Sequence, residues 1–469
     1  MAGATNGARP DFVVQGEPAR LIPIPGAGRN NKETAATSAF LATMIAVDEF
    51  AQAITDLIGI HLGAKARVQC YTEVVFKTPK GQPKFRPDGL IHIATGKQDR
   101  YFLVEAKVAN ADLDPAQIEE YVTIAKEFGV EGVITISNQY APLPTYHPVT
   151  LPKSRTKGIN LYHWSWTSIL TEAQIAAKHT GVADPDQAFI LNELIRFLEH
   201  PSAGVLVAPS MGSQWSEGTR AAFQGHGLHS ASPAVEAMVG SWHQLIRHIT
   251  LDLSARLGRP VTLYLTRKHR GAPEDRLRHD CQSLQVTKRL VSEIEIPDAA
   301  SRLLLICDFQ RRALEARMTL NAPTDKAQVR AHRTWIKGQL SKSDDPNIGI
   351  VAHWPGRAPS TTDTLGRLDT EDSTLIPNGI TMMPTKFEIF RLLDLGDKIT
   401  QTTKFPDYCK SFLWSYYKDI GQHLRPYQAP APRAKEPPTL REDGLTLGDP
   451  GPSIEEVALE IEEHLTPTD

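Results

Sequence analysis

Between Tyr101 and Ser137 the chain reads as strand, helix, strand joined by short connections, and this order constrains the fold more than any other feature. The run YFLVEAKV (101–108) is rich in β-branched and aromatic residues. Asp114 suits an N-cap, Pro115 the first helical turn, and Gln117 falls three residues after the cap. Gly129 suits the left-handed position after a helix, so a helix is predicted over 115–128. VITIS (133–137) then reads as a buried strand. Two strands joined through one helix must run parallel, which makes this region α/β.

The flanks extend the unit. Apolar residues from Phe40 to Leu57 recur at helical spacing, which predicts a helix over 38–58. Val68–Phe76 reads as a strand, KTPKGQPKF (77–85) as a hairpin connection, and Asp88–Ala94 as a short strand. A strand at Ile159–His163, a helix from Thr167 and an amphipathic helix over 186–199 follow. His200-Pro201 ends the last of these. HWSW (163–166) reads as core aromatic packing.

Beyond residue 230 the pattern restarts, with helices expected at Pro233–Leu257, Asp325–Leu340 and Pro406–His423. Strands are expected at Val261–Thr266, Leu303–Asp308, Ala313–Leu320 and Ile348–His353. The expected organisation is a flexible arm over 1–34, an α/β domain with a helical extension over 35–228, and an α+β domain over 229–428. A Pro-rich disordered linker (429–452) and a short acidic helix (453–465) complete it. A chain of 469 residues accommodates two or three domains.

No apolar run approaches the roughly 18 residues that cross a bilayer, and a secretory signal is not expected from the opening MAGATNGARPDFVVQG. Four scattered cysteines give neither a zinc spacing nor a disulfide framework, so a cytoplasmic setting is expected. The net charge of −3 excludes a generally basic protein but hides two opposed regions. Residues 259–342 hold 17 Lys and Arg against 9 Asp and Glu, and residues 433–469 hold 3 against 10. The basic span, with Arg311-Arg312 and RKHR (267–270), suits phosphate contacts or an ordinary salt-linked surface.

The chemistry concentrates at Asp88, Glu105 and Lys107. Residues two apart in a strand share a face, so Glu105 and Lys107 project together from an apolar strand, where charge without partners is costly. A turn at 94–100 would bring Asp88 beside Glu105. Two carboxylates supply hard oxygen ligands for Mg²⁺ or Mn²⁺, with the Ala106 carbonyl as a further donor, and Lys107 would assist an attacking water. A structural ion pair at a sheet edge is the alternative.

Pro87-Asp88 and Glu105-Ala106-Lys107 resemble the two signature elements of the PD-(D/E)XK nuclease superfamily, over about residues 35–170. Gln117 and Tyr121 are similar to the QxxxY element of one of its branches. The resemblance implies a restriction-endonuclease-like mixed sheet flanked by helices and hydrolysis of phosphodiesters, in DNA first of all, in restriction, repair or defence against foreign DNA. It also implies an acidic ligand on the first helix, Glu49 or Asp48, with Glu73 on the first strand as a second candidate. Two alternatives stay open: a non-catalytic nucleic-acid- or protein-binding module on this fold, and an RNA-directed nuclease. The expected partners are nucleic acid, a protein bound through 229–428, or a second copy of the chain, and no membrane.

Overall fold

The computed structural model describes residues 12–18, 31–76, 86–96, 98–109, 111–141, 147–205, 210–224, 228–377, 379–380 and 382–429. The described residues up to Gln428 form one compact unit. The connection expected at 77–85, the Pro-rich linker beyond Ala429 and the acidic helix at 453–465 lie outside the described residues.

The first half comprises β1 (Val13–Pro18), α1 (Asn31–Ala46), α2 (Asp48–Asp56), β2 (Arg67–Phe76), β3 (Gly89–Ala94), β4 (Asp99–Ala106), α3 (Pro115–Phe128), β5 (Gly132–Ser137), α4 (Lys153–Thr156), β6 (Asn160–Ser165), α5 (Trp166–Ile175), α6 (Pro185–Glu199) and α7 (Gln214–Phe223). Its strands form one mixed sheet in the order β1-β2-β3-β4-β5-β6. The first three junctions are antiparallel, and β4/β5 and β5/β6 are parallel. The helix between β4 and β5 therefore makes the parallel crossover that its capping residues imply. The Asp114 side chain accepts from Ala116 N, and Gly129 ends α3 at φ 66°.

Side-chain alternation gives each face of this sheet its own core. Leu90, Leu103 and Val133 pack with Tyr121 and Val122 of α3 on one face. Val104, Ile134 and Trp164 pack with Phe40 of α1 and Leu194 of α6 on the other. Phe40 meets Trp164 and Trp166 edge-on at 6.1 and 6.3 Å. Gly89 permits the close approach of α1, since a Cβ there would lie 2.6 Å from Leu41 Cδ1 and 3.1 Å from Tyr71 O.

Two readings of this half need correction. The lead-in over 1–34 is not featureless, because β1 pairs with β2 and α1 begins at Asn31. The single helix expected over 38–58 is two. Val47 adopts an extended conformation (φ −127°, ψ 106°), and the Asp48 N–H that opens the second helix donates to Gln187 Oε1 at 3.0 Å.

The second half comprises α8 (Pro233–Leu257), β7 (Thr262–Leu263), α9 (Arg267–Gly271), α10 (Pro273–Thr287), β8 (Arg289–Glu295), β9 (Leu303–Asp308), β10 (Ala313–Asn321), α11 (Val329–Gln339), β11 (Gly349–His353), β12 (Thr361–Thr364), β13 (Lys386–Asp394) and α12 (Phe405–Asp419). Its sheet has seven strands in the order β12-β11-β13-β10-β9-β8-β7, antiparallel at every junction. Leu303, Leu305 and Cys307 point into a core shared with Trp242 of α8 and Leu413 of α12. Met211, Trp215 and Ala222 join this core, so α7 packs with the second sheet. By packing, the first half thus ends near Val205, ahead of the boundary drawn from sequence at 228/229.

Part of the basic span is paired with acids. Arg259 pairs with Asp298, Arg289 with Asp308, Arg302 with Glu293, Arg312 with Asp397, and Arg317 with Glu315 and Glu388. Among the described residues no helix is long and apolar enough to cross a membrane.

Candidate active site

The register of the first sheet builds the site. Gly89 pairs with Val104, which sets Asp88 level with Glu105, and the Asp88 Oδ2 accepts from Ala106 N at 2.8 Å. Glu105 is 2% exposed and both its oxygens are engaged. Oε1 lies 2.5 Å from Lys107 Nζ, and Oε2 accepts from the Tyr121 hydroxyl at 2.8 Å. Gln117, one turn before Tyr121 on α3, donates from Nε2 to that hydroxyl at 2.8 Å. Asp88, Glu105, Lys107, Gln117 and Tyr121 are thus brought into one connected group.

Glu33 completes this group and was missed in the sequence. It lies in the first turn of α1, almost fully buried, with Oε1 3.4 Å from Lys107 Nζ. The acidic residues proposed for this place bond elsewhere. Glu49 Oε1 accepts from Ala183 N at 3.0 Å, and the Asp48 backbone is tied to Gln187. Glu73 takes a left-handed conformation (φ 53°) and pairs with Arg86 at 2.6 Å, although its N–H donates to Asp88 O. The only sign of Glu33 in the sequence is an acidic residue three to four positions ahead of the first buried alanine and threonine of α1. The apolar period starts too late to make it stand out.

Two carboxylates, Glu105 and Glu33, thus contact one ammonium, and Asp88 adds its field from further away. Burial, then the charge of Glu105, pushes the Asp88 carboxyl well above its usual range, against the bond from Ala106 N. Burial also raises Glu33, partly offset by Lys107. For Lys107 burial works against the charge, but the Glu105 bond and the surrounding carboxylates outweigh it and raise the pKa, so the amine is held as an ammonium. Asp88 and Glu105 offer oxygen donors only, the donor chemistry that Mg²⁺ or Mn²⁺ takes. Among the described residues no group of three or more His, Cys, Asp or Glu side chains is already assembled as a metal cage.

The row continues past Glu105, because Glu105 pairs with Thr135 and Thr135 with His163. The Thr135 hydroxyl lies 2.8 Å from both His147 Nε2 and His163 Nδ1. One proton order satisfies the bonds to Thr135 and to Gln139 O, and leaves His147 Nδ1 and Val149 O, 3.0 Å apart, as two acceptors. Val149 N–H donates to His147 Nδ1, His147 Nε2 to Thr135, Thr135 to His163 Nδ1, and His163 Nε2 to Gln139 O. That order needs both imidazoles neutral, and burial lowers them to about 4 for His147 and about 3 for His163.

A group whose folded pKa lies below its unfolded value costs stability as pH falls through the unfolded value. The stability that the two neutral imidazoles contribute is therefore full above about pH 6.5 and is lost as pH falls toward about 4 for His147 and about 3 for His163. Urea unfolding should show a loss of the order of 2–3 kcal/mol from His163 alone between pH 7 and pH 4. A His163→Gln protein should lose correspondingly less over the same interval. Equal pH dependence in the two proteins would show that His163 does not titrate in this way.

No family model, no curated protein and no solved structure matches this chain.

Proposed function

We propose that the protein is a metal-dependent nuclease acting on DNA. The observation that carries this reading is the buried group of Asp88, Glu105, Lys107 and Glu33 at the carboxyl end of a parallel strand. The element order supports it: a helix, three antiparallel strands, a helix and a parallel strand is the arrangement of a restriction-endonuclease-like core.

In this reading Asp88 and Glu105 hold the divalent ion, which when bound supplies Lewis-acid stabilisation of charge on the phosphate. The Lys107 ammonium donates to the attacking water and to the phosphoryl oxygens, where negative charge grows as the P–O ester bond breaks. Tyr121 stays neutral, since burial and the charge of Glu105 raise its pKa. Its hydroxyl fixes the Glu105 carboxylate, and Gln117 fixes the hydroxyl. Glu33 limits where the Lys107 ammonium can sit.

One observation favours a second reading, a binding module without turnover: Glu105 already has both oxygens bonded within the protein. Incubation of the purified protein with plasmid, linear duplex, single-stranded DNA and RNA, each with Mg²⁺, Mn²⁺ or EDTA, separates the cases. Cleavage of DNA that needs metal is expected. Binding without cleavage of any polymer would favour the binding module, and cleavage of RNA alone an RNA-directed nuclease.

A further inference from the structure

β4 ends at Ala106, so Lys107 projects from the first residue beyond the strand. Its N–H still donates to Ile136 O at 2.7 Å. Its carbonyl accepts from the indole Nε1–H of Trp166 at 2.8 Å, a side-chain donor where a strand ladder would supply a backbone one. Trp166 is fully buried, opens α5 directly after the N-cap Ser165, and is wedged edge-on against Phe40.

Two residues further on, Ala109 takes φ 56°, a left-handed conformation rare for a residue with a Cβ. Such a conformation persists only where its surroundings impose it. Here the Ala109 N–H donates to Gly204 O at 2.6 Å, and the Ala109 carbonyl accepts from Asn138 Nδ2 at 2.7 Å. The same Asn138 amide reaches Gly204 O at 3.2 Å. The residues that leave the strand with Lys107 are thus tied to α5, to the end of β5 and to the turn after α6.

We propose that Trp166 and Asn138 are positioning residues for Lys107, holding its backbone so that the ammonium reaches Glu105 and Glu33 together. This rests on the reading of Lys107 as the ammonium that assists hydrolysis. A lysine side chain is a long, flexible lever, so a small rotation of its peptide moves the charge by about 1 Å, and a misplacement of that size costs up to about 10²-fold in rate.

The test compares Trp166→Phe, which keeps a ring in the core and deletes the donor, with Asn138→Ala, which cuts the second tie. In folded variants, kcat for metal-dependent DNA cleavage should fall about 10-fold or more, with KM and metal affinity within about 2-fold of the parent. Acetylation of Lys107 by acetic anhydride, followed by mass spectrometry of its peptide, should become faster in both. A role confined to core packing would lower Tm without this split and without changing Lys107. Unchanged kcat and unchanged Lys107 acetylation in a folded variant overturn the proposal. If Trp166→Phe does not fold, Asn138→Ala alone decides it. If the parent cleaves nothing, the nuclease reading has failed separately, and the acetylation rates still decide whether these residues hold Lys107.

Discussion

Replacing Lys107 by methionine is expected to lower metal-dependent DNA cleavage by about 10²–10³-fold or more while leaving metal binding and DNA affinity near the parent values. Methionine keeps an aliphatic stem and removes the charge, and an ammonium is not a metal ligand. Asp88→Ala and Glu105→Ala should instead lose both metal binding and cleavage. Lys107→Arg should fail too, because a planar guanidinium cannot take the place of a compact ammonium 2.5 Å from one carboxylate and 3.4 Å from another. The structure adds a consequence for stability. Lys107→Met leaves Glu105, 2% exposed, without its cation, and uncompensated buried charge costs about 3–5 kcal/mol. Adding Glu105→Gln should recover much of that loss in urea unfolding without restoring cleavage. Equal cleavage by the parent and folded Lys107→Met, measured at equal DNA occupancy, would sink the assignment.

Trp215→Ala should destabilise the protein by about 3–5 kcal/mol, as large truncations in a packed core do. Trp215 is fully buried, lies 4.8 Å from the Phe405 ring and 5.6 Å from that of Phe309, and donates from Nε1 to Ile399 O at 2.8 Å. Its removal opens a cavity and leaves that carbonyl unpaired among apolar groups. Phe189→Ser, at a side chain 64% exposed, should shift stability by no more than about 0.5 kcal/mol and serves as the control. A loss below about 1 kcal/mol for Trp215→Ala would mean that α7 is not built into the second core.

How far the sequence reveals these features depends on how local their causes are. α3 and α8 span the residues expected because Asp114, Pro115 and Gly129, and Pro233 and Gly258, mark their ends within the helix itself. Glu105 and Lys107 stand out because charges inside an apolar strand are unusual, and the strand period alone puts them on one face. Glu33 is a tertiary matter. It is buried in the first turn of α1, where it meets Lys107 from 74 residues away, and within its own segment, NKETAATSAF, only its spacing ahead of Ala36 and Thr37 signals it. α10 was passed over because PEDRLRHDCQSLQVT is mostly polar and buries only Arg276, Cys281 and Leu284. No strand is expected from the sequence at β8 or β13, although Leu290 and Ile294, and Phe387 and Ile389, keep the strand period. The break at Val47 has no Pro or Gly to mark it, and Gln187, which bonds the following amide, lies 139 residues away from Asp48.

The strand order of the second sheet bears on how the chain is made. β13 lies between β10 and β11, although it is the last of the strands to leave the ribosome. Strands β7 to β10 can pair as they emerge, since each lies beside its predecessor. The β11–β12 hairpin can close on itself but cannot join the sheet, because its place there does not exist until Lys386–Asp394 has been synthesised. At about 5–20 residues per second, the edges of β10 and β11 wait a second or more with unpaired backbone groups. During that interval the nascent chain exposes a sheet edge that a chaperone, or another nascent chain, can reach.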